Sequence, residues 1–151
     1  RLDSPRMKKF LATWNAVPDI DDSDNFPVGE IPVYDHGFDI VLAFNERWAT
    51  PKRGGKSPVW AAYMRFFGPE YCKKRKIVPY PGAILGEVTL PATRQEVRAK
   101  LGRPTRFSDT GQVCDEYDQK DCIVRFCYPD GKEFVVFVEL AAWSVIDRKS
   151  D

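Results

Sequence analysis

The stretch LPATRQEVRAKLGRPTRF, residues 90–107, carries the clearest structural signal in this sequence. Thr93 followed three residues later by Glu96 forms a capping box, a pairing that satisfies free amide groups at the start of a helix. Val97 and Leu101 then fall on one helical face, and a glycine and a proline follow directly. The stretch therefore predicts a helix of about two turns with well-defined ends.

The residues after this helix predict a sheet. GQVCDEYD from Gly111, DCIVRFCY from Asp121 and KEFVVFVELAAW from Lys132 are dense in β-branched and aromatic residues. The last two are joined by PDG at 129–131, which is strong hairpin-turn chemistry. The second half of the chain thus has the predicted order helix, strand, strand, strand.

The first half shows the same order. SPRMKKFLATWN begins with Ser4 as a helix N-cap and Pro5 at the first helical position, with apolar residues at helical spacing after it. Residues 15–29 hold prolines and aspartates without periodicity and predict a loop. Strands are predicted from Ile31 to Phe44, interrupted by turn residues DHG, and at VWAAYMRFF further on.

Two matching words support a repeat. YDHGFDIV from Tyr34 and YDQKDCIV from Tyr117 share four of eight positions without a gap. We predict an α+β tandem repeat of a helix plus a three-stranded antiparallel sheet, with both helices packed on one face of a combined sheet. Its parts are a first unit at 1–68, a linker at 69–89 and a second unit at 90–151, together one shared compact domain. Chance recurrence of a short strand word is the alternative.

One detail of this alignment conflicts with the repeat. Val124 has the apolar spacing of a core position, whereas its match Val41 stands between the stronger core candidates Ile40 and Leu42. A slip of one residue exchanges the two faces of a strand, so either a bulge intervenes or the words are misaligned.

Length and charge bound the class of protein. The 151 residues are 43% hydrophobic and suit one packed domain. The net charge of +1 comes from 23 basic and 22 acidic residues, so no global field favours nucleic acid or a membrane surface as partner. We find neither an apolar run of about 18 residues nor the apolar core of a signal peptide, and expect a cytoplasmic protein. The chain begins with Arg1, so a signal sequence removed before it stays an open alternative.

Four cysteines stand at positions 72, 114, 122 and 127. An even number permits a disulfide framework, but the spacings match no common zinc pattern and a core of this size does not need bridges. We expect free, mostly buried thiols.

The second half resembles a known group of proteins. The capped helix TRQEVRAKLGRPT, the strand DEYD and the hairpin CIVRFCYPDGKEFVVFVEL are similar to the repeat unit of the β-lactamase-inhibitor-like and small outer-membrane-lipoprotein group. They also resemble several bacterial immunity proteins that neutralise polymorphic or contact-delivered toxins. The resemblance spans Leu90 to Trp143 and implies a protein that works by binding another protein. It implies no catalytic residues.

Catalytic and metal-binding patterns are weak. The single histidine, His36, lies in a predicted turn, and a small hydrolase or toxin-domain enzyme using it with Asp35 or Asp39 is an alternative reading. DIDDSDNFPVGE, residues 19–30, partly fits a calcium loop, but Asp24 stands where the sharp turn calls for glycine. We therefore expect neither a metal nor a cofactor.

Charge is segregated along the chain, with two acidic clusters offset by basic stretches such as KKRK at 73–76. An acidic surface flanked by aromatic residues suits the binding of a basic protein, because charge speeds encounter and aromatic side chains anchor interfaces. We predict an immunity protein that occludes a cognate toxin of a basic, nuclease-like kind, with a lipoprotein-like assembly or scaffold protein as a further alternative and the oligomeric state open. The predicted partner-binding residues are Asp19, Asp21, Asp22, Asp24, Tyr34, Trp48, Asp115, Glu116, Tyr117, Asp118 and Asp121.

Overall fold

The fold is α+β and is built on one large antiparallel sheet. A computed structural model describes residues 4–21, 28–44, 59–73, 75–109, 112–128 and 133–142. Its helices are α1 (Pro5–Trp14), α2 (Pro69–Cys72) and α3 (Arg94–Leu101). Its strands are β1 (Asp19–Asp21), β2 (Val28–Val33), β3 (Phe38–Phe44), β4 (Val59–Phe67), β5 (Ala83–Ile84), β6 (Val88–Thr89), β7 (Arg106–Ser108), β8 (Val113–Asp118), β9 (Cys122–Tyr128) and β10 (Phe137–Ala142).

Eight strands form the main sheet, in the order β1-β2-β3-β4-β10-β9-β8-β7. Every neighbouring pair is antiparallel. The first and second halves of the chain meet at the centre, where β4 pairs with β10 from Phe67 opposite Phe137 to Met64 opposite Leu140. Strands β5 and β6 form a separate two-stranded sheet.

Helix α3 forms as its sequence predicts. The Thr93 side chain accepts from the Glu96 amide while the Glu96 carboxylate accepts from the Thr93 amide, so the capping box is complete. Gly102 ends the helix at a φ of 79°, in the left-handed region that glycine enters without a steric penalty. Val97 is fully buried and packs in a core cluster with Val124 and other strand residues.

Helix α1 is also as predicted. Ser4 caps it by accepting from the Met7 amide, and Asn15 ends it in the left-handed conformation with a φ of 48°. Three apolar side chains of α1 pack against a second core cluster made by Ile31, Ile40 and Leu42, namely those of Met7, Phe10 and Leu11. Burying this apolar stripe is what stabilises so short a helix.

Each half contributes four strands to the sheet, one more than the three predicted. Strand β1 lies inside the predicted loop 15–29, and β7 begins shortly after Gly102 and Pro104, the residues predicted to end the second helix. Each extra strand has three residues, too few for an alternating pattern to appear in sequence. These two strands form because β2 and β8 offer them a pairing edge.

The strands β3, β4, β8 and β9 follow the predicted apolar segments closely. Strand β10 begins at Phe137, five residues after the predicted start at Lys132. Phe134 instead bridges to Thr93, just before α3. The predicted PDG turn at 129–131 lies outside the described residues, but the antiparallel pairing of β9 with β10 agrees with a hairpin.

The two matching words both lie where the second strand of a half connects to the third, but they occupy different structure. Tyr34 begins a 3-10 turn after β2, whereas Tyr117 lies inside β8. In the first word, Ile40 belongs to the core cluster against which α1 packs. In the second word, the residue aligned with Ile40 is Ile123, but it is Val124 that belongs to the core cluster containing Val97 of α3. The letters therefore align one residue out of step with the packing.

The connection at 69–89 packs against both halves, with Ile84 and Val88 in the core cluster that contains Val97. Val78 donates its amide to the Tyr34 carbonyl, and Tyr80 donates its amide to the Phe67 carbonyl. A Cβ added at Gly37 would lie 2.3 Å from the Tyr80 nitrogen, so only glycine permits this approach. Among the described residues, no helix has the length and apolar character needed to cross a membrane.

Candidate functional site: the charged row and the acidic end of the sheet

A line of alternating charges crosses the sheet from one strand to the next. Each of its members stands directly opposite the next on the neighbouring strand. Opposite charges facing each other across antiparallel strands stabilise the pairing. We call this line the charged row, and its members are Asp39, Arg65, Glu139, Arg125, Glu116 and Arg106.

In the second half the row is a hydrogen-bonded network. Arg125 donates from Nε to Glu116 at 2.8 Å and from Nη1 to Glu139 at 3.0 Å. Arg106 donates from Nε to Glu116 at 2.8 Å and from Nη2 to Asp118 at 2.7 Å. Burial raises the pKa of Glu116, but the hydrogen bonds and charges of both arginines lower it by more. The pKa therefore lies below its ordinary value. Glu116 is therefore held as a carboxylate between two guanidinium groups.

In the first half the row ends at a fully buried carboxylate. Arg65 donates from Nε to Asp39 at 2.9 Å and from Nη2 to Glu30 at 3.1 Å. The Tyr34 hydroxyl donates to the other oxygen of Glu30. Burial raises the pKa of Asp39 by more than Arg65 lowers it, and Glu30 adds to the rise. The single guanidinium of Arg65 thus binds two carboxylates here.

A second buried carboxylate lies beside α3. Asp115 is 0% exposed and accepts from Arg94 Nη2 at 2.7 Å and from Arg98 Nε at 2.8 Å. Burial raises its pKa, but the hydrogen bonds and charges of the two arginines outweigh it and leave the pKa below its ordinary value. The contact joins α3 to β8.

A cavity of about 380 Å³ opens beside the charged row at the β7 edge. Cys114 reaches this cavity and stands opposite Cys127, with the two Sγ atoms 3.6 Å apart. All four cysteines are free, and Cys72, Cys114 and Cys127 are buried. The cavity is lined by Arg106, Phe107, Ser108, Gln112, Cys114, Glu116 and Arg125.

The topology brings both predicted acidic segments to one end of the sheet. Strand β1 stops at Asp21, opposite the first residue of β2, Val28. At the same end, Asp118 closes β8 opposite Ile123 of β9, with Asp121 in the turn between them. We call this end the acidic end. Strands β1 and β8 stand six strand spacings apart, roughly 29 Å at about 4.8 Å per spacing.

The predicted partner-binding residues divide between surface and interior. Asp19, Asp118 and Asp121 are exposed. Glu116 is half-buried in the charged row, and Tyr34 is half-buried at the end of the sheet opposite the acidic end. Asp21 lies in β1.

Other members of the predicted set lie elsewhere. Asp115 is fully buried between α3 and β8, and Tyr117 is 5% exposed in the core, where its hydroxyl donates to the Gly102 carbonyl. The charge of Asp115 is matched by arginines and the ring of Tyr117 packs among apolar residues, so neither presents a surface to a partner. Asp22, Asp24 and Trp48 lie outside the described residues.

The residues of the enzyme alternative are not assembled into a pair. His36 is exposed, with its ring 4.8 Å from that of Trp14. Asp39 is bound by Arg65, and among the described residues no hydrogen bond joins His36 to Asp35 or Asp39. The calcium-like stretch forms strands at both ends, with Asp19 opposite Glu30. Within the described part of the chain, no three His, Cys, Asp or Glu side chains are grouped to hold a metal.

Sequence reasoning missed the charged row. Its arginines are single basic residues inside apolar strands, such as Arg65 in VWAAYMRFF and Arg125 in CIVRFCY. A buried-strand pattern broken by one arginine was the available signal, but the partner of each arginine depends on strand order. Comparisons with protein-family models, curated proteins and solved structures gave no match to this chain.

Proposed function

We propose that this chain is a bacterial immunity protein that acts in the cytoplasm, where it binds a cognate basic toxin and occludes its active site. The observation that carries the proposal is the acidic end, where β1 and β8 both end at the same side of the sheet although they lie about a hundred residues apart in sequence. A basic, nuclease-like partner has a positive substrate channel that such a surface complements.

The spacing of the acidic end suits a protein partner. Its two acidic positions, at β1 and at the β8–β9 turn, are separated by roughly 29 Å at about 4.8 Å per strand. A standard interface buries about 800 Å² on each partner, which corresponds to a patch of similar width. On the β8–β9 side its described acids are the exposed Asp118 and Asp121, and the exposed Lys120 lies between them in the turn.

The charged row supports this surface from beneath. Arg106 holds Asp118 at 2.7 Å and Glu116 at 2.8 Å, so the end of β8 is tied to the edge strand β7. Side chains that are already ordered lose less conformational freedom when a partner binds. The network therefore favours a preorganised docking surface.

We also infer that the chain is a tandem repeat of two units, 1–68 and 90–151, with both helices on one face of the combined sheet. The order of elements supports this, since α1 precedes four sheet strands and α3 precedes four more. Packing supports it too, because α1 packs against the cluster that contains Ile40, and Val97 of α3 shares a cluster with Phe126. Directly opposed apolar residues link the strands of these two clusters.

The experiment begins with growth. A candidate toxin, captured with the tagged chain from its source cells and shown to arrest growth in a bacterial host, should be neutralised when the chain is co-expressed. Purified toxin and chain are then mixed in a stopped-flow instrument at low and high salt. We expect Asp118→Asn/Asp121→Asn to slow association about three- to tenfold at low salt and to flatten its salt dependence.

The matched control is Asp35→Asn, which removes one exposed acid from the 3-10 turn at the opposite end of the sheet. Its association rate should equal that of the unmodified chain. Failure of the chain to relieve toxicity would contradict the inhibitor function. Equal rates for the double variant and the unmodified chain would instead contradict docking through the acidic end.

A further inference from the structure

We propose that Cys114 and Cys127 are a redox pair, in which hydrogen peroxide oxidises Cys114 and Cys127 then closes a disulfide between β8 and β9. The two residues stand directly opposite each other on neighbouring antiparallel strands, and their Sγ atoms lie 3.6 Å apart. Both are free thiols in the structure. The pair is therefore a modification site for a small oxidant of the hydroperoxide class.

The backbone at this position suits a disulfide. Gln119 donates its amide to the Cys122 carbonyl, so these two residues are a hydrogen-bonded pair of the β8–β9 ladder. Because hydrogen-bonded and non-hydrogen-bonded pairs alternate along antiparallel strands, Cys114 and Cys127 form a non-hydrogen-bonded pair. The Cys127 carbonyl accordingly accepts from the amide of Val136, on the side of β10. The Cα atoms of such a pair lie about 4.5 Å apart, inside the range of about 4.4–6.8 Å that disulfides span.

Exposure gives the two thiols different roles. Cys114 is 7% exposed and lines the cavity of about 380 Å³ beside the charged row. Cys127 is 1% exposed. Hydrogen peroxide is small and uncharged, so it can reach Cys114 from the cavity, and Cys127 then meets the oxidised product. The charged side chains that line the same cavity are those of Arg106, Glu116 and Arg125.

The electrostatic surroundings favour the same order of reaction. Burial raises the pKa of both thiols, but the hydrogen bond between them lowers the pKa of Cys114 and raises that of Cys127. Arg125 also lowers the pKa of Cys114, while Glu139 and Glu116 raise it. Cys114 is therefore the first of the two to lose its proton. The thiolate is the form that attacks a peroxide, so Cys114 reacts first, and it reacts slowly at neutral pH because its pKa stays above the ordinary value.

The chemistry takes two steps that balance in atoms and electrons. The Cys114 thiolate attacks one oxygen of the peroxide, so that an S–O bond forms, the O–O bond breaks and hydroxide leaves. Cys127 then attacks the sulfur of this sulfenic acid. The S–S bond forms, the S–O bond breaks, and the departing oxygen takes up the Cys127 proton and leaves as water. Overall, the two thiols lose two electrons and two protons, and the peroxide is reduced to two molecules of water.

The bridge acts on the hairpin that carries the exposed acids Asp118 and Asp121. It joins two positions that are 13 residues apart, and so restricts the unfolded chain and stabilises the folded one. In a reducing compartment such a bridge is transient, because cellular thiols reduce it again. The pair thus makes the stability of this hairpin depend on the oxidant level.

The first experiment uses the unmodified chain. The folded protein is treated with hydrogen peroxide, its remaining thiols are alkylated, and the peptides are mapped by mass spectrometry without reduction. We expect one peptide pair that is joined through Cys114 and Cys127 and lacks two hydrogen atoms, and we expect dithiothreitol to reverse it. The oxidised chain should unfold at a temperature higher by about 4 °C or more. The rate of bridging should rise about tenfold from pH 7 to pH 8, because the pKa of Cys114 lies above both.

Three variants separate the two roles. In Cys127→Ala the sulfenic acid on Cys114 should persist, and a cyclic 1,3-diketone such as dimedone should capture it. In Cys114→Ser we expect Cys127 to stay reduced. Cys122→Ser is the matched control, because Cys122 is a cysteine of β9 that stands opposite Ala142, and this variant should bridge like the unmodified chain. Thermal unfolding shows that each variant is folded.

Three results would overturn the inference. The first is a folded, unmodified chain in which Cys114 and Cys127 stay reduced, or are oxidised further without a bond between them. The second is a bridge that joins either of them to another cysteine instead. The third is equal diketone labelling of Cys127 in Cys114→Ser and of Cys114 in Cys127→Ala, which would contradict the assigned roles. The first two are read on the unmodified chain and do not depend on any variant folding. All three leave the toxin-binding proposal untouched, because they involve no partner.

Discussion

Two aspartates, one in each half of the sheet, are fully buried, and yet their pKa values are shifted in opposite directions. Asp39 on β3 and Asp115 on β8 are both 0% exposed. The pKa of Asp39 lies above its ordinary value of 3.8, and that of Asp115 lies below it. Burial acts on both in the same direction, so the difference comes from their neighbours.

The neighbours differ in number and sign. Asp115 is bound by Arg94 and Arg98, whereas Asp39 shares Arg65 with Glu30. Two positive charges outweigh the cost of removing a carboxylate from water, but one positive charge divided between two acids does not. The comparison shows that the protonation of a buried acid depends on the local balance of charge as well as on burial.

The largest expected effect comes from removing both partners of Asp115. Arg94→Met/Arg98→Met keeps much of the side-chain volume but leaves a buried carboxylate without a counter-charge. We expect the free energy of unfolding at pH 7 to fall by about 3–5 kcal/mol. Guanidinium denaturation measures this loss. Arg103→Met, at an exposed arginine just after α3, is the control and should stay within about 0.5 kcal/mol.

A smaller loss is expected from Arg65→Met. This change removes the counter-charge of Asp39, but the pKa of Asp39 is already raised, so the carboxylate can take up a proton at modest cost. We expect a loss of roughly 2–3 kcal/mol at pH 7 that shrinks at acidic pH. The same denaturation experiment at several pH values measures it. A loss equal to that of the double arginine variant at every pH would contradict the distinction between the two sites.

The pH dependence should differ in sign between Asp39→Asn and Asp115→Asn. With its pKa raised in the folded state, Asp39 contributes most at low pH, and that contribution is lost as pH rises from about 3.8 through the folded value. With its pKa lowered, Asp115 contributes above about 3.8, and its contribution is lost as pH falls through the folded value. The cost of Asp39→Asn should therefore decrease with rising pH and that of Asp115→Asn should increase. Parallel profiles would show that the two sites do not differ.

The smallest expected effects compare the helix caps of the two halves. Thr93→Ala removes one partner of a complete capping box, whereas Ser4→Ala removes a single hydrogen bond of 3.3 Å to the Met7 amide. We expect losses of about 1–2 kcal/mol for Thr93→Ala and about 0.5–1 kcal/mol for Ser4→Ala. Thermal unfolding of both variants measures the two losses and shows which is larger. Glycine at either position should restore most of the loss, because glycine is tolerated at an N-cap.

Much of the fold followed from local patterns, and the rest did not. Helices α1 and α3 and most of the strands could be predicted, because caps, helical spacing and β-branched runs act over a few neighbouring residues. The short α2 lies in the segment predicted as a connection. The edge strands β1 and β7 could not, because three residues carry no pattern of their own. The acidic end was visible only as two separate clusters until the strand order placed β1 and β8 with their ends on the same side of the sheet.

The candidate site shows the same division. Asp118 and Asp121, predicted from composition to be surface acids, are exposed, but Asp115 and Tyr117, from the same short stretch, are interior. In a strand, successive residues point to opposite faces, so a one-residue difference separates a surface acid from a buried one. The letters DEYD do not reveal which face is covered.

By itself the sequence determined what depends on near neighbours: the capped helix from Arg94 to Leu101, the helix from Pro5 to Trp14, and the apolar runs that become strands. Only the tertiary structure decided which charges meet. The charged row joins residues from six strands, and the opposite pKa shifts of Asp39 and Asp115 follow from arginines 26 and 17 to 21 positions away. Electrostatic energy depends on distance in space, and strand order, which the sequence does not display, sets that distance.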